Sequence, residues 1–468
     1  MTPGTTREHR PRFARPRQRP AAPVLVLASA LLGFFMVGLD ASAVNVAVPA
    51  IGRTLGGATA GLQWVIDAYT LMFAALLISA GALSDRCGAK HAFGSGLAVF
   101  TAASIACGLA PSMGFLIAAR LLQGSAAAVM LPSSLALVRQ AFPDPARRPR
   151  AIALWTVGGA VSLAAGPVAG GALTSTLSWR AIFFVNLPVS VATLALLARA
   201  PRSPRRSVPL DVAGQLTAVT ALAALTFGVI EGGRSGFGRP LVLGCLLLSA
   251  GAMAAFVAVE ARSAHPMVPL GLFGSRTVTV CVVTGFTVNA AFYGIVFVYS
   301  LFFQQIIGRS AVAAGLLFLP MTALMPLANL GSARSARLLG PRAPIAVGQL
   351  AAVLGLLGLA WVNTRSGDLA AAALIIPVGA GLAFALPALT NIMLNAVAPE
   401  QAGMAAGLFN SSRQAGGALA VAVFGALVSH RVSFGSGMRT SLLIAAALVL
   451  ATTAAALALP GRRTGDLT

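Results

Sequence analysis

The sequence predicts an all-α integral membrane protein with fourteen transmembrane helices, and three observations carry that prediction. First, 57% of the 468 residues are hydrophobic and only 9% are charged, with a mean hydropathy of +0.86. A soluble globular chain carries about 25% charged residues, so a water-soluble enzyme of this size is excluded. Second, uncharged apolar runs approaching or exceeding the roughly 20 residues that a helical span requires recur fourteen times between charged or Gly/Pro-rich breaks. Third, the basic residues divide between alternate loops in a way that fits one orientation in a bilayer.

Taken in order, residues 1–22 form an arm with six arginines and four prolines between positions 3 and 20. The first span follows at 24–49. Ala28-Ser29-Ala30 imitates a cleavage site, but the apolar run continues well past it and is too long for a signal-peptide core, so the arm is read as uncleaved. Spans two to six lie at 62–83, 92–110, 113–138, 151–174 and 180–198. Longer connections at 199–211 and 260–276 flank spans seven and eight, at 212–231 and 240–259. The last six spans lie at 277–303, 311–331, 343–362, 369–393, 404–428 and 441–460, before a tail at 461–468.

The 33 bases and 11 acids give a net charge of +22. On a soluble domain that excess would suggest nucleic acid; here there is no such domain to gather it, and no nucleic-acid partner is expected. With the N-terminus in the cytoplasm, inside segments hold 23 bases, including Arg86, Lys90, Arg139 and Arg334, and outside loops hold 8. Arg120 and Arg413 fall within or at the edge of spans. The asymmetry places both termini on the cytoplasmic side of the cell membrane. The inside loop at 394–403 carries no base and does not contribute to that argument.

Four cysteines (87, 107, 245 and 281) lie far apart without a CxxC pair and read as small packing residues. The four histidines are scattered, no Walker loop is present, and no acidic cluster suggests a membrane-embedded transferase. Metal, cofactor, ATP and catalytic chemistry are therefore not expected.

The charges left inside spans are few. Asp40 sits deep in the first span, where an ionised carboxylate costs several kcal/mol unless it has a partner or a cavity, or carries a proton. A proton-binding role and a structural hydrogen bond to Asn45 or to backbone are the two readings. Arg120 keeps its proton and needs a carboxylate, carbonyls or water nearby, unless it snorkels from the outer end of span four. Asp67 lies about one turn into span two, as an anionic site or as a helix-start residue favoured by the dipole. Glu231 ends span seven, and Arg413 stands in the polar stretch Asn410-Ser411-Ser412-Arg413-Gln414 of span thirteen. Asn45, Gln123, Glu231, Asn410 and Arg413 are the candidate cavity residues. The aromatic run of span nine, from Phe286 to Phe303, suits lipid-facing bulk or a cavity for flat hydrophobic compounds.

Several short motifs sit on these spans in a recognisable order. The loop after span two reads Gly81-Ala82-Leu83-Ser84-Asp85-Arg86-Cys87-Gly88-Ala89-Lys90, with glycines for a tight reversal and a compact charge cluster at the membrane surface. Its G-x-L-x-D-R-x-G-x-K pattern resembles the signature loop of the major facilitator superfamily. Arg120-Leu121-Leu122-Gln123-Gly124 is similar to the R-x-x-Q-G motif of proton-coupled members. Gly158-Gly159 and Gly166-Pro167-Val168-Ala169-Gly170-Gly171 resemble the antiporter signature of span five. Leu39 to Pro49 is close to the L-D-x-T-x-V-N-V-A-L-P pattern of the fourteen-span drug:proton antiporters, and Trp64 to Tyr69, Trp179-Arg180 and Asn186-Leu187-Pro188 agree further. The chain looks most like antibiotic-resistance exporters of the methylenomycin type. It departs in Ala41-Ser42 after Asp40, in Ala89, and in the second-half loop Gly331 to Gly340, which lacks the Asp.

The resemblance implies two six-helix bundles, at 23–198 and 277–460, with two extra helices within 199–276. It implies a proton-coupled antiporter that exports a small-molecule drug or antibiotic by alternating access, working as a monomer in the lipid bilayer. Asp40, Arg120 and Asp67 would couple protons; Gly81, Asp85, Arg86, Gly88 and Lys90 would form the gating loop; Gly158, Gly166, Pro167, Gly170 and Gly171 would make the flexing interface. A solute uptake permease on the same scaffold is the alternative.

Overall fold

The computed structural model describes residues 22–56, 59–144, 147–201, 203–205, 209–362, 368–398, 401–429 and 433–459. Most of the arginine-rich arm, the 461–468 tail, and Arg202, Arg206, Arg365 and Arg431 lie outside them. The helices are α1 (Ala22–Leu55), α2 (Thr59–Cys87), α3 (Ala89–Gly108), α4 (Met113–Ala141), α5 (Arg148–Thr176), α6 (Ala181–Phe184), α7 (Asn186–Ala198), α8 (Val212–Ser235), α9 (Pro240–Arg262), α10 (Arg276–Leu301), α11 (Ala311–Leu339), α12 (Arg342–Leu359), α13 (Asp368–Asn395), α14 (Ala402–Leu427) and α15 (Phe434–Leu457). No strand occurs among the described residues.

Among those residues, twelve helices are long and apolar enough to cross a bilayer, or thirteen if the two parts of α5 form one span. The sequence-based count of fourteen is not met. The remaining helix is α14, where Asn410-Ser411-Ser412-Arg413-Gln414 places five polar residues in succession and pulls its apolarity down. Short α6 and α7 together make one of the twelve, over Ala181–Ala198.

Two sets of helices pack side by side, and one hydrophobic core runs between them through Val44 to Ile51 of α1 and Leu62 to Ile66 of α2, while the rest of the first set has a core of its own. In the first, α1 lies on α5, α4 and α7, and α4 also lies on α2 and α3. In the second, α10 lies on α14, α15 and α13, and α13 lies on α11 and α12. The sets meet mainly through α5 on α11 and α2 on α14. Helices α8 and α9 form a hairpin whose α8 touches both α2 and α14.

Helix association in lipid depends on close packing, because lipid tails are as apolar as the helices themselves. Helix α5 illustrates this. Along one face Gly158 and Gly159 receive Leu31 and Phe34 of α1, Ser162 lies against Gly38, Gly166 against Ser42, and Gly170 against the Ala43 backbone. On its neighbouring edge Gly171 meets the backbone of Ala311 and Val312 in α11, and Gly315 of α11 meets Pro167. Between Leu163 and Ala165 the helix bends by 41°. Pro167 explains the bend, since it has no N–H for the Leu163 carbonyl one turn back.

The hydrogen bonds seen between the two sets run from mid-helix to the end away from the chain termini. Gln63 Nε2 on α2 donates to the carbonyls of Val421 at 3.2 Å and Ala422 at 2.8 Å on α14. Ser300 Oγ donates to the Asn45 carbonyl at 2.7 Å, and Gln304 Nε2 donates to the Val46 carbonyl at 3.0 Å. Gln304 lies in a widened turn, Phe302–Ile306, where Ile307 N–H reaches back five residues to the Phe302 carbonyl. Nearer the middle, Ser411 Oγ donates to the Ala74 carbonyl at 2.9 Å.

Phe286 at the start of the aromatic run lines a cavity, but the later aromatics of α10 and its extension differ from both readings made from sequence. Phe297, Tyr299, Phe302 and Phe303 are all at most 3% exposed and pack on one another, with Phe303 edge-on to Phe318 of α11. They fill the core of the second set, because α10 is surrounded by α13, α14 and α15 rather than by lipid.

Candidate functional site

The first bundle holds a buried polar network centred on Asp40. Arg120, three residues before Gln123 on the same face of α4, points inward with Gln123 beside it. Arg120 Nη1 donates to Asp40 Oδ2 as an ion pair, and also to Gln123 Oε1 at 2.9 Å. Arg120 Nε donates to the Val65 carbonyl of α2 at 3.0 Å. Asp40 Oδ1 accepts from Gln123 Nε2 at 3.0 Å and from Asn186 Nδ2 at 3.1 Å. Asp40, Arg120, Gln123 and Asn186 are each no more than 1% exposed.

Outer members fix the orientation of these groups. Ser104 Oγ accepts from both Gln123 Nε2 and Asn186 Nδ2 and donates to the Phe183 carbonyl. The Cys107 thiol donates to Gln123 Oε1 at 3.6 Å. The guanidinium lies 4.3 Å from the centre of the Tyr69 ring, in cation–π geometry. Gly124 makes this approach possible: any side chain there would collide with the Tyr69 backbone. The pair is neutral overall and every charged oxygen has a donor, which is how an intramembrane ion pair is tolerated.

Asn45 is not a partner of Asp40. Its Nδ2 donates one turn back to the Ala41 carbonyl, and its Oδ1 is buried without a partner among the described residues. Arg120 does not snorkel. Asn186, Ser104 and Tyr69 emerge as members of the site. Asn186 was visible in the Asn186-Leu187-Pro188 motif, but nothing in the sequence connected it to Asp40, 146 residues away.

Asp67 is fully buried on α2, and neither carboxylate oxygen has a hydrogen-bond partner among the described residues. It lies two turns into α2, beyond the first turn where a helix-start role operates. Gln63, Asp67 and Ala74 recur on the face of α2 that meets α14, as the bonds of Gln63 and Ala74 show. Close by, Leu71 and Ala74 of α2 line an apolar cavity of about 200 Å³ with Leu225 of α8, Met253 of α9, Phe286 of α10 and Leu419 of α14.

In the second bundle Arg413 Nε donates to Asn289 Oδ1 at 3.1 Å and Nη1 donates to Asn410 Oδ1 at 3.2 Å. Asn289 Nδ2 in turn donates to Gln414 Oε1 at 3.2 Å. No carboxylate pairs with Arg413 among the described residues; its charge is met by amide oxygens and by the Phe409 ring, whose centre lies 5.9 Å from the guanidinium carbon.

The gating-loop residues are arranged differently from the compact cluster expected. Asp85 and Arg86 are exposed, and neither forms an ion pair among the described residues. Lys90 instead donates to the carbonyls of Ala198 and Ala200 at the C-terminal end of α7, where the helix dipole favours a cation. Its backbone N–H is held by Ser203 Oγ at 3.1 Å. Gly88 turns the chain with φ of 85°, and Gly81 meets no neighbour. Glu231 sits near the end of α8, bound bidentately by Arg234 one turn on, at 3.0 and 2.9 Å. That arginine's side chain is 60% exposed, and exposed pairs of this kind contribute little. Glu231→Gln is therefore expected to leave both thermal melting and transport unchanged, measured on purified protein and in whole cells.

Comparison with known proteins agrees with this architecture. Residues 30–421 match the Major Facilitator Superfamily. The chain is 37% identical over 412 residues to multidrug resistance protein Stp of Mycobacterium tuberculosis, covering 88% of this chain and 76% of that one. It is 36% identical over 414 residues to the methylenomycin A resistance protein of Streptomyces coelicolor, covering 88% and 87%. It is 38% identical over 415 residues to the cephamycin export protein CmcT of Amycolatopsis lactamdurans, covering 86% and 84%. Among solved structures, a peptide transporter POT in complex with sulfate superposes with a TM-score of 0.69 at 16% identity, covering 95% of each chain. A bacterial homolog of the human lysosomal transporter Spinster gives 0.67, over 94% of this chain and 97% of the other. With a match that begins in the span of Asp40 and runs into α14, and with relatives this similar along most of their length, the chain belongs to the Major Facilitator Superfamily and is a membrane transporter, not an enzyme.

Proposed function

We propose that this transporter is a proton-coupled exporter of small, hydrophobic drug-like or antibiotic molecules, working as a monomer in the plasma membrane. The observation that carries the reading is the buried Asp40–Arg120 pair, a titratable charge held against a permanent one in the membrane core. The names of the relatives, which resist or export methylenomycin, cephamycin and other drugs, support the substrate class. In this reading the chain spans the membrane fourteen times with both termini cytoplasmic, α14 crosses despite its polar stretch, and the bundles at 23–198 and 277–460 flank the extra helices.

A proton arriving on Asp40 removes the charge that Arg120 faces, leaving the guanidinium on Val65 O and Gln123 Oε1. Asp40 lies five residues before Asn45 on α1, whose carbonyl accepts from Ser300 of α10. Protonation at Asp40 thus acts on the helix that carries contacts between the bundles, and differential proton affinity between two access states is what lets a gradient drive transport. With both termini cytoplasmic, the contacts of Gln63, Ser300 and Gln304 join the outer halves of the bundles. The cavity beside Leu71 is smaller than a drug-sized pocket, and substrate binding has to widen it.

Proteoliposomes with an imposed pH gradient test the proposal. A panel of hydrophobic antibiotics should include compounds whose export accelerates with the gradient, releases protons in return, and stops on adding a protonophore. Export that persists at full rate after the gradient is collapsed would sink the coupling mechanism.

A further inference from the structure

A second titratable site lies outside the Asp40 network, where the α8–α9 hairpin is fastened to the first bundle. Asp211 caps the N-terminus of α8, its Oδ1 accepting from Gly214 N–H at 2.7 Å. Glu260, on the last turn of α9, is only 3% exposed, and its Oε2 accepts from Val268 N–H at 2.9 Å. Each carboxyl group has a second oxygen, Asp211 Oδ2 and Glu260 Oε1, that is buried and has no hydrogen-bond partner among the described residues. The two converge on Gly214: the point where a Cβ of that residue would stand is 2.6 Å from Glu260 Oε1 and 2.9 Å from Asp211 Oδ2.

Among the described residues the surrounding elements supply no counter-charge: Arg205 in the linker before α8 is exposed and pairs with neither carboxylate. Arg262 on α9, His265 in the linker, Arg276 at the start of α10, and Asp85 and Arg86 at the end of α2 are all exposed. None of them forms an ion pair with either carboxylate among the described residues. Burial, with the negative charge of Asp211 nearby, pushes the Glu260 carboxyl above the usual carboxylate range and favours a proton there. The α8 N-terminus favours negative charge on Asp211, which already accepts a backbone N–H there.

We propose that Asp211 and Glu260 together bind one proton, carried on Glu260 Oε1 and facing Asp211 Oδ2, as a protonation site separate from Asp40. The linker beyond Glu260 is tied to α2 by Ser79 Oγ donating to Met267 Sδ at 3.0 Å, and α8 is tied to α2 by Gln215 Nε2 donating to the Ala75 carbonyl at 2.8 Å. Holding the proton keeps this joint intact; releasing it places two like charges inside the joint and loosens the hairpin.

The test is thermal melting of the purified full chain in lipid nanodiscs across roughly pH 5 to 9. A proton bound in the folded state and released on unfolding stabilises at low pH, and that stability is lost as pH rises through the folded-state release. The wild type should therefore lose melting temperature toward high pH. Glu260→Gln should flatten that limb and keep the low-pH stability, because its amide N–H₂ faces Asp211 permanently while its carbonyl oxygen still accepts from Val268. Asp40 and Asp67 are present in both proteins, so the difference reports this pair. In infrared spectra at neutral pH, wild type minus Glu260→Gln should show the C=O stretch of a protonated carboxyl. Asp211→Asn should lose the same band, since its amide can donate to an ionised Glu260. That variant keeps the cap acceptor and supplies the comparison if Glu260→Gln does not fold. Equal pH slopes in the wild type and Glu260→Gln overturn the proposal. So does the absence of the carboxylic band, or stabilisation by added magnesium or calcium that Glu260→Gln abolishes, which would make the ligand a metal cation.

Discussion

Asp40→Asn is expected to reduce gradient-driven export to the level of membranes lacking the protein. Asp40 is the one carboxyl group of its network, and an amide cannot cycle a proton. The geometry also shows that this substitution is not silent for folding. Asp40 accepts from three side chains, Arg120, Gln123 and Asn186. An asparagine at 40 can accept with its oxygen only, so its N–H₂ must face another donor, and Arg120 is left without a counter-charge. Removing one partner of a buried ion pair typically costs about 3–5 kcal/mol. A lower melting temperature is therefore expected alongside the lost export. The double substitution Asp40→Asn with Arg120→Gln separates the two effects, since deleting both charges relieves the unpaired cation. It should recover much of the melting temperature and none of the export. Recovery of export in the double variant, with its pH dependence intact, would remove Asp40 from the coupling mechanism. Asp40→Glu, which keeps the charge but lengthens the arm within a network packed on all sides, should retain coupling with a reduced rate.

Gly171→Val is expected to impair export strongly by preventing the bundles from meeting at the end away from the termini. A Cβ at Gly171 would stand 2.6 Å from the Ala311 carbonyl oxygen and 3.0 Å from its carbon, and backbone atoms cannot swing aside as a side chain can. The branched side chain must therefore push α5 away from α11. Gly170, one residue earlier, faces Ala43 of α1 within the same bundle. Gly170→Val should instead lower the stability of the first bundle. The readout is a disulfide between Gln63→Cys and Gly425→Cys, with the four native cysteines replaced by alanine. Gly425 packs directly on the Gln63 side chain, so these positions join only when α2 and α14 are together. The cross-link should form readily in the parent and fall several-fold with Gly171→Val, but not with Gly171→Ser to the same degree. An undiminished yield in Gly171→Val would show that α5 and α11 do not control closure.

The residues that were legible in the sequence are those whose cost in a membrane is large. Asp40 and Arg120 stood out because charge is rare in spans, and their pairing follows from the same expense. The glycines of α5 were legible as a packing stripe, although which of them faced α1 and which faced α11 was not. Asn186 and Ser104 carried no comparable signal, being uncharged residues of ordinary types that matter only because α3, α6 and α7 bring them to Asp40. The aromatics of α10 show the same limit from the other side. In water an apolar face points inward, but in lipid both the core and the outer surface are apolar, so composition does not tell one from the other.

The sequence alone determined that this chain is helical and membrane-embedded, the approximate places of its long helices, and which charges are confined among them. Those conclusions rest on the cost of putting peptide groups and charges into hydrocarbon, a cost counted residue by residue along the chain. Only the tertiary structure decided that Arg120 faces Asp40 with Asn186 and Gln123 beside it, that Lys90 caps α7 instead of pairing with Asp85, and that Glu260 meets Asp211 at Gly214. Each of those depends on the rotation and approach of helices far apart in sequence, and small-residue packing sets that geometry only when both partners are in place.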